Sequence, residues 1–130
     1  MKPLEFYLQG FGQIRRKTLV GSRATVRPAP MNTDIDILLL VRDASSFVGY
    51  AEEFGWDWGG SFEKEDNTSS FYSIKKWIDG EEVNLVVTDD EEFHKRFLAA
   101  TSVASRFNLQ NKLDRVALFQ AVLYGNVVKV

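Results

Sequence analysis

Two short segments in the first third of the chain combine side chains that could hold a triphosphate and a metal ion. Gly21 and Ser22 form a pair in which backbone N–H groups and a hydroxyl can approach phosphate oxygens, because the glycine has no Cβ. Asp34 and Asp36 are separated by one residue, so on a strand both carboxylates point to the same face. Together they could bind one or two Mg²⁺ or Mn²⁺ ions, which is the arrangement that metal-assisted chemistry on a triphosphate needs.

Two predicted strands carry these residues. Residues 18–20 are a short β-prone run that ends at the Gly-Ser pair, and residues 23–27 could add one helical turn before Pro28 and Pro30. Ile35 to Val41 is nearly continuously apolar, which is typical of a strand covered on both faces. This run is therefore predicted to be the central strand of a sheet.

A helix and a hairpin are predicted after the central strand. Asp43 can cap a helix whose apolar residues recur at helical spacing until Gly55 ends it. Residues 71–74 and 82–87 are β-prone and flank Asp79-Gly80, a dipeptide strongly associated with tight hairpin turns. The strand pattern thus continues beyond the first helix.

Helices are also predicted at both ends of the chain. Residues 4–17 begin as a helix that two glycines would interrupt. Thr88 is a candidate N-cap for a long helix that Asn108 would close, and a last helix packed on the sheet would end at Gly125. The element order predicts a single α+β domain over residues 1–130, with a small mixed β-sheet and helices packed mainly on one side.

The motif resembles that of a known family. Leu19-Val20-Gly21-Ser22, followed after eleven residues by Asp34-Ile35-Asp36-Ile37, resembles the signature of the polymerase-beta-like nucleotidyltransferase superfamily, especially its minimal single-domain members. Arg23 and Ala24 directly after the serine extend the resemblance, which covers about residues 18–41 closely. The helix and hairpin that follow fit the family's element order.

The resemblance implies a reaction and a set of site residues. It implies transfer of a nucleoside monophosphate from an NTP to a hydroxyl or phosphate acceptor, with release of pyrophosphate. Asp34 and Asp36 would be the catalytic metal ligands, with Mg²⁺ or Mn²⁺ as the ion. Gly21 and Ser22 would bind the nucleotide, and Arg23 is a candidate phosphate contact because it adjoins the turn.

One position departs from the family pattern. Members normally supply a third carboxylate from a later strand, and the matching position here is Asn84. An amide oxygen can be a neutral metal ligand, but it cannot accept a proton as a carboxylate does. Glu82 lies two residues earlier on the same strand face and could take the place of the missing carboxylate.

Composition excludes several other classes of protein. The formal net charge of -2 argues against a domain that holds duplex nucleic acid by charge alone. No Cys and the single His94 leave neither a disulfide framework nor a zinc cluster, so a metal would be oxygen-bound. No segment has the length and apolarity of a membrane span or a signal peptide, so no membrane partner is expected and the protein is expected to be cytoplasmic.

Two functional hypotheses other than an active enzyme stay open. The chain could be a catalytically degenerate module of the same fold that binds nucleotide, or a protein-interaction module of an antitoxin-like or regulatory kind. As an enzyme, it could modify a protein, an RNA end or a small molecule. A homodimer or partner protein could supply the acceptor site, because little chain remains beyond the core fold. Trp56, Trp58 and Trp77 could stack on a base, but large aromatic side chains more often lie in the core or at its edge, so no base reader is assigned.

Overall fold

The computed structural model describes residues 1–30, 33–63 and 69–124, although for residues 59–63, 69 and 70 it describes the backbone alone. Within this part of the chain, the helices are α1 (Leu4–Tyr7), α2 (Ser22–Thr25), α3 (Ala44–Glu53), α4 (Glu91–Phe107) and α5 (Lys112–Tyr124). The strands are β1 (Ile14–Val20), β2 (Ile35–Val41), β3 (Asp57–Glu63), β4 (Ser69–Ile78) and β5 (Glu81–Thr88). The predicted α+β class with a small mixed sheet is confirmed.

The strands form one mixed sheet in the order β1-β2-β5-β4-β3. β2 runs parallel to β5, whereas the other neighbouring pairs are antiparallel. The parallel pair needs a crossover connection, because both strands enter the sheet from the same end. Its register places Asp36 directly beside Asn84.

Helices cover both faces of the sheet. On one face, a buried core cluster that includes Ile37, Leu85 and Phe47 joins β2 and β5 to α3. On the opposite face, α4 contacts β2 and β5, and Val86 lines a cavity together with Phe97 of α4. The expectation that helices pack mainly on one side is therefore wrong, because β2 is apolar on both faces and each face needs a cover.

The predicted helix after the central strand and the predicted hairpin are both confirmed. The Asp43 carboxylate caps α3 by accepting a hydrogen bond from the backbone N–H of Ser46 at 3.1 Å. In the hairpin turn, Asp79 and Gly80 adopt φ angles of 53° and 78°. This left-handed pair is the conformation that an Asp-Gly dipeptide favours in a two-residue hairpin loop.

The start of α4 differs from its prediction. Asp90, and not Thr88, is the N-cap, and its carboxylate accepts hydrogen bonds from the N–H groups of Glu92 and Phe93 at 2.9 and 3.2 Å. Thr88 still belongs to β5, and its hydroxyl accepts a hydrogen bond from the N–H of Asp90. The helix ends as predicted at Asn108, which adopts the left-handed conformation with φ 48°.

Three further elements depart from the predictions. Of the helix predicted over residues 4–17, only α1 forms, and residues 14–17 belong to β1, whose pairing with β2 starts at Ile14 opposite Val41. β3 has no counterpart among the predicted elements. α5 packs chiefly against α4, which separates most of it from the sheet. Gly125, where α5 was predicted to end, lies outside the described residues.

No helix in the described part of the chain is long and apolar enough to cross a membrane.

Candidate functional site

The Gly-Ser pair forms a tight turn between β1 and α2. Gly21 has φ 72° and ψ -165°, a conformation that residues with a Cβ rarely adopt. Its carbonyl accepts hydrogen bonds from the N–H groups of Ala24 and Thr25 and from the hydroxyl of Thr25 at 3.0 Å. Thr25 is buried, so these bonds fix the turn and the position of Ser22.

Asp36 lies directly against this turn. A Cβ added at Gly21 would meet Oδ2 of Asp36 at 2.1 Å, which is far closer than two such atoms can approach. The absence of a side chain at Gly21 therefore makes the space that the Asp36 carboxylate fills. β1 and β2 pair up to Val20 and Asp36, so strand pairing brings the predicted triphosphate turn and the predicted metal ligand together.

Asn84 joins the two aspartates. Its Nδ2 donates hydrogen bonds to Oδ2 of Asp34 at 3.0 Å and to Oδ1 of Asp36 at 3.3 Å. Each of the two amide protons can thus serve one carboxylate, and the two carboxylates converge on one point. The structure therefore brings Asp34 and Asp36 together with Asn84 of β5.

Burial and crowding of negative charge make Asp36 unusual. The pKa of Asp36 is raised to about 6, chiefly by burial and then by the negative charges of Asp34 and Glu82. The hydrogen bond from Asn84 and the positive charge of Arg23 oppose this rise. A carboxylate held in this environment favours any added positive charge, either a proton or a cation.

Glu82 contributes to the site by its charge. It lies two residues before Asn84 on the same face of β5 and is partly buried, and no hydrogen bond joins it to Asp34 or Asp36 in the structure. Its role as a replacement for the third carboxylate stays a prediction.

Arg23 is held by protein groups on two sides. Its Nε and Nη2 donate to the carbonyl oxygen of Thr33 at 3.1 and 2.6 Å, and its Nη1 lies 3.3 Å from Oε1 of Glu81. The other carboxylate oxygen of Glu81 accepts a hydrogen bond from the hydroxyl of Tyr7 at 2.9 Å. The hydrogen bond from Tyr7, which has the larger effect, and the contact with Arg23 hold the pKa of Glu81 below its usual value.

These contacts give Arg23 a positioning role that the sequence did not reveal. Its side chain is 9% exposed and connects the turn, the residue before Asp34 and the first residue of β5. The predicted contact of Arg23 with phosphate stays a prediction. The hydrogen bonds of Arg23 to Thr33 and Glu81 join residues that are too far apart in the sequence for a local pattern to predict them.

A cavity of about 620 Å³ opens beside the aspartates, within the size range of small-molecule sites. Ser22, Asp34 and Asp36 line one side of it, and Lys112, Arg115 and Phe119 of α5 line the other. The cavity therefore has carboxylates on one wall and cationic side chains on the opposite wall. The residues of α5 were not among the predicted site residues, because only the packing of α5 on α4 brings them near.

A second cavity, of about 340 Å³, lies beside α3 on the opposite face of the sheet. Phe54, Trp56 and Lys76 are among its lining residues, and the described lining includes no carboxylate. The convergent polar groups lie in the first cavity, so that cavity is the candidate site.

The oxygen atoms at the candidate site fit a hard divalent cation. No group of three or more His, Cys, Asp or Glu side chains suited to a metal ion occurs in the described ranges, so the set consists of two carboxylates and one amide. The carboxylates of Asp34 and Asp36 converge on the Nδ2 group of Asn84, so a cation held by both carboxylates would take the place of that N–H group. Carboxylate and amide oxygens are the ligands that Mg²⁺ prefers, with water completing its coordination.

Comparisons with protein-family models, with curated proteins and with solved structures find no match to this chain.

Proposed function

We propose that the protein is a nucleotidyltransferase-like domain that binds a metal-complexed NTP and transfers its nucleoside monophosphate to an acceptor. The observation that carries the proposal is the contact between Asp36 and the Gly21-Ser22 turn. A half-buried carboxylate with a pKa of about 6 occupies the place that a Cβ at Gly21 would take. This arrangement places an acidic metal ligand next to a turn suited to phosphate oxygens.

Different residues of the chain bind the triphosphate and the cation. Ser22 and the backbone of the turn contact the triphosphate, and Lys112 and Arg115 on the facing wall of the cavity offset its charge. Asp34 and Asp36 hold the cation. When bound, this cation would neutralise developing charge on the phosphates and favour ionisation of the attacking hydroxyl.

Glu82 is the group that accepts the proton of the acceptor. Asn84 cannot do so, because an amide is not basic, but it orients both aspartates through its two N–H groups. The acceptor oxygen forms a bond to the α-phosphorus, the bond from that phosphorus to the bridging oxygen breaks, and pyrophosphate leaves. The proton of the acceptor hydroxyl passes to the carboxylate of Glu82.

Nucleotide binding and transfer are tested together with the four NTPs, each with Mg²⁺ or Mn²⁺. The variant Asp34→Ala plus Asp36→Ala should lose both metal-dependent thermal stabilisation by NTP and pyrophosphate release. A matched control, Glu52→Ala plus Glu53→Ala, removes two exposed carboxylates from α3 on the other face of the sheet and should behave as wild type. Absence of nucleotide binding by the wild-type protein with all four NTPs would refute the proposal.

A second function is favoured by Asn84 itself. With an amide in place of the third carboxylate, the domain would bind an NTP and signal its presence to a partner without turnover. This function predicts nucleotide-dependent stabilisation of the wild-type protein without pyrophosphate release. Release that disappears in Glu82→Gln but not in Glu52→Gln would exclude it and assign the proton transfer to Glu82.

A further inference from the structure

The cavity beside α3 is built from three segments that are distant in the sequence. The chain after α1 contributes Phe11, the C-terminal part of α3 contributes Tyr50, and β4 contributes Lys76. Side chains alternate along β4, so Lys76 lies on the same face of the sheet as the buried Ile74 and away from the aspartates. At about 340 Å³, the cavity is at the lower end of the size range of small-molecule sites.

Aromatic rings line this cavity on several sides. The ring centroid of Phe11 lies 5.9 Å from that of Trp56 and 6.2 Å from that of Tyr50. Tyr50 and Phe54, with ring centroids 4.8 Å apart, are 45% and 55% exposed, and Trp77 at the same cavity is 68% exposed. Exposed rings that are grouped in a concavity mark a ligand site more often than a plain surface, and their flat faces and edges favour a flat aromatic ligand.

Lys76 is the cation among the described residues that line the cavity. Its Nζ donates a hydrogen bond to the carbonyl oxygen of Phe54 at 2.8 Å and lies 6.0 Å from the ring centroid of Trp56. An ammonium group has three donors, and no carboxylate in the described part of the chain forms an ion pair with this one. Capping of the C-terminal end of α3 explains the bond to Phe54, but it leaves two donors for a further acceptor and does not explain the exposed rings.

We propose that this cavity binds a small, planar aromatic carboxylate. The ring of the ligand packs against Phe11, Tyr50 and Phe54, and its carboxylate accepts hydrogen bonds from Nζ of Lys76. The inference is independent of the proposed function, because the described residues of this cavity and those of the candidate site do not overlap.

The charge and shape of the cavity favour this ligand over three others. A cationic ligand would be repelled by Lys76, and the described lining has no carboxylate to attract it. A polyphosphate carries several negative charges, which a single ammonium group cannot match. An aliphatic acid has the right charge, but it lacks the flat faces and edges that pack best against aromatic rings.

Titration of ¹⁵N-labelled protein with naphthalene-2-carboxylate, followed by amide chemical shifts, measures both the affinity and the location of binding. The dissociation constant should be about 0.1 mM, a value typical of a ligand of this size. The neutral amide of the same ring system and the saturated decalin carboxylate should each bind about tenfold more weakly. The shifts should centre on Phe11, Tyr50 and Lys76. Absence of shifts at ligand concentrations on the order of 1 mM would overturn the inference, and so would shifts that centre on Lys112 and Arg115 in the first cavity.

Lys76→Met tests the selection by charge, because it keeps the length of the side chain and removes the ammonium group. It should weaken binding of the carboxylate about tenfold and leave binding of the neutral amide unchanged. Lys75→Met is the matched control, since Lys75 is the neighbouring lysine on the opposite face of β4, and it should bind both ligands as wild type does. Lys76→Arg should retain the preference for the carboxylate, which a role in capping alone would not require.

Phe54→Ala tests the aromatic wall. It should weaken binding of the carboxylate and of the neutral amide alike, by about fivefold or more, because both ligands lose the same ring contact. Trp58→Ala is the matched control, since Trp58 is 51% exposed but is not among the described residues that line the cavity. The inference is wrong if Trp58→Ala weakens binding as much as Phe54→Ala, or if neither Lys76→Met nor Lys76→Arg changes the ratio of the two affinities in the expected way.

Discussion

Replacement of Asp36 by asparagine should stabilise the metal-free protein at neutral pH. The carboxylate is half-buried beside Asp34 and Glu82, and the resulting rise of its pKa to about 6 means that folding disfavours its ionised form. Asp36→Asn keeps the shape of the side chain and its capacity to accept the hydrogen bond from Asn84, but it removes the charge. The variant should therefore gain the free energy that wild type loses by ionising this group.

The size and pH dependence of the gain follow from the pKa of Asp36. A rise from 3.8 to about 6 corresponds to about 3 kcal/mol as an upper limit. Since solvent reaches part of the site and screens its charges, we expect about 1–2 kcal/mol. The folded state binds more protons than the unfolded state between these two pKa values, so this group makes wild type less stable as the pH rises from about 4 to 6. The difference between variant and wild type should be small at pH 4 and reach its plateau above pH 6.

Urea unfolding in the presence of a chelator, at intervals from pH 4 to 8, measures this difference directly. Asp34→Asn is the matched control, because Asp34 accepts from the same Asn84 amide but is exposed, and its replacement should change stability by less than half as much. Added Mg²⁺ should reduce this difference by stabilising wild type alone, by about 1.4 kcal/mol at ten times its dissociation constant. A variant that is less stable than wild type at pH 7.5 without metal, or a difference independent of pH, would refute the reasoning.

Three other substitutions test separate parts of the structure. Gly21→Ala should destabilise the protein by about 1 kcal/mol or more and abolish NTP binding, since its Cβ would displace Asp36 and its φ is positive; unchanged NTP affinity by calorimetry would contradict this. His94→Leu should stabilise the protein by about 1 kcal/mol, because His94 is buried and its Nε2 has no hydrogen-bond partner among the described residues. Burial, and after it the charge of Arg16, lower the pKa of His94, so protonation of His94 makes wild type less stable as the pH falls through about 6.5. Urea unfolding at pH 5.5 and 7.5 should therefore show the larger stability gain of the variant at the lower pH. Arg23→Met should cost about 1–3 kcal/mol through loss of its charged hydrogen bonds, and a Lys17→Met control, whose cation is exposed, should cost under 0.5 kcal/mol; equal losses in thermal unfolding would mean that Arg23 does not position the loop.

Local patterns in the sequence predicted the parts of the fold that local interactions determine. The continuous apolar run predicted β2, the Asp-Gly dipeptide predicted the hairpin, and Asp43 predicted the start of α3, because each signal lies within a few residues of its effect. The spacing of Asp34 and Asp36 also predicted that the two carboxylates share a face, and the family resemblance singled out Asn84 as the position that would join them. Strand alternation fixes their faces, and the parallel register then brings them together.

What could not be predicted depends on contacts between distant segments. β3 contains two adjacent glycines and is formed by pairing with β4, which overrides its weak intrinsic preference for a strand. Coverage of both faces of the sheet, the cationic wall that α5 adds to the cavity, and the bond of Arg23 to Glu81 all require the packed structure. The exposure of Trp77 could not be predicted either, since only the packed structure distinguishes it from Trp56, which is 4% exposed.

The contact between Gly21 and Asp36 is hard to explain by stability alone. A glycine with positive φ limits the residues that can occupy the turn, and a half-buried carboxylate with a raised pKa lowers the stability of the metal-free fold at neutral pH. An apolar residue at position 36, continuing the apolar run of β2, would remove the second cost. A strained glycine in contact with a carboxylate of raised pKa is expected where a site must hold a ligand. A cation beside a phosphate group would neutralise the charge of Asp36 and use the space beside Gly21.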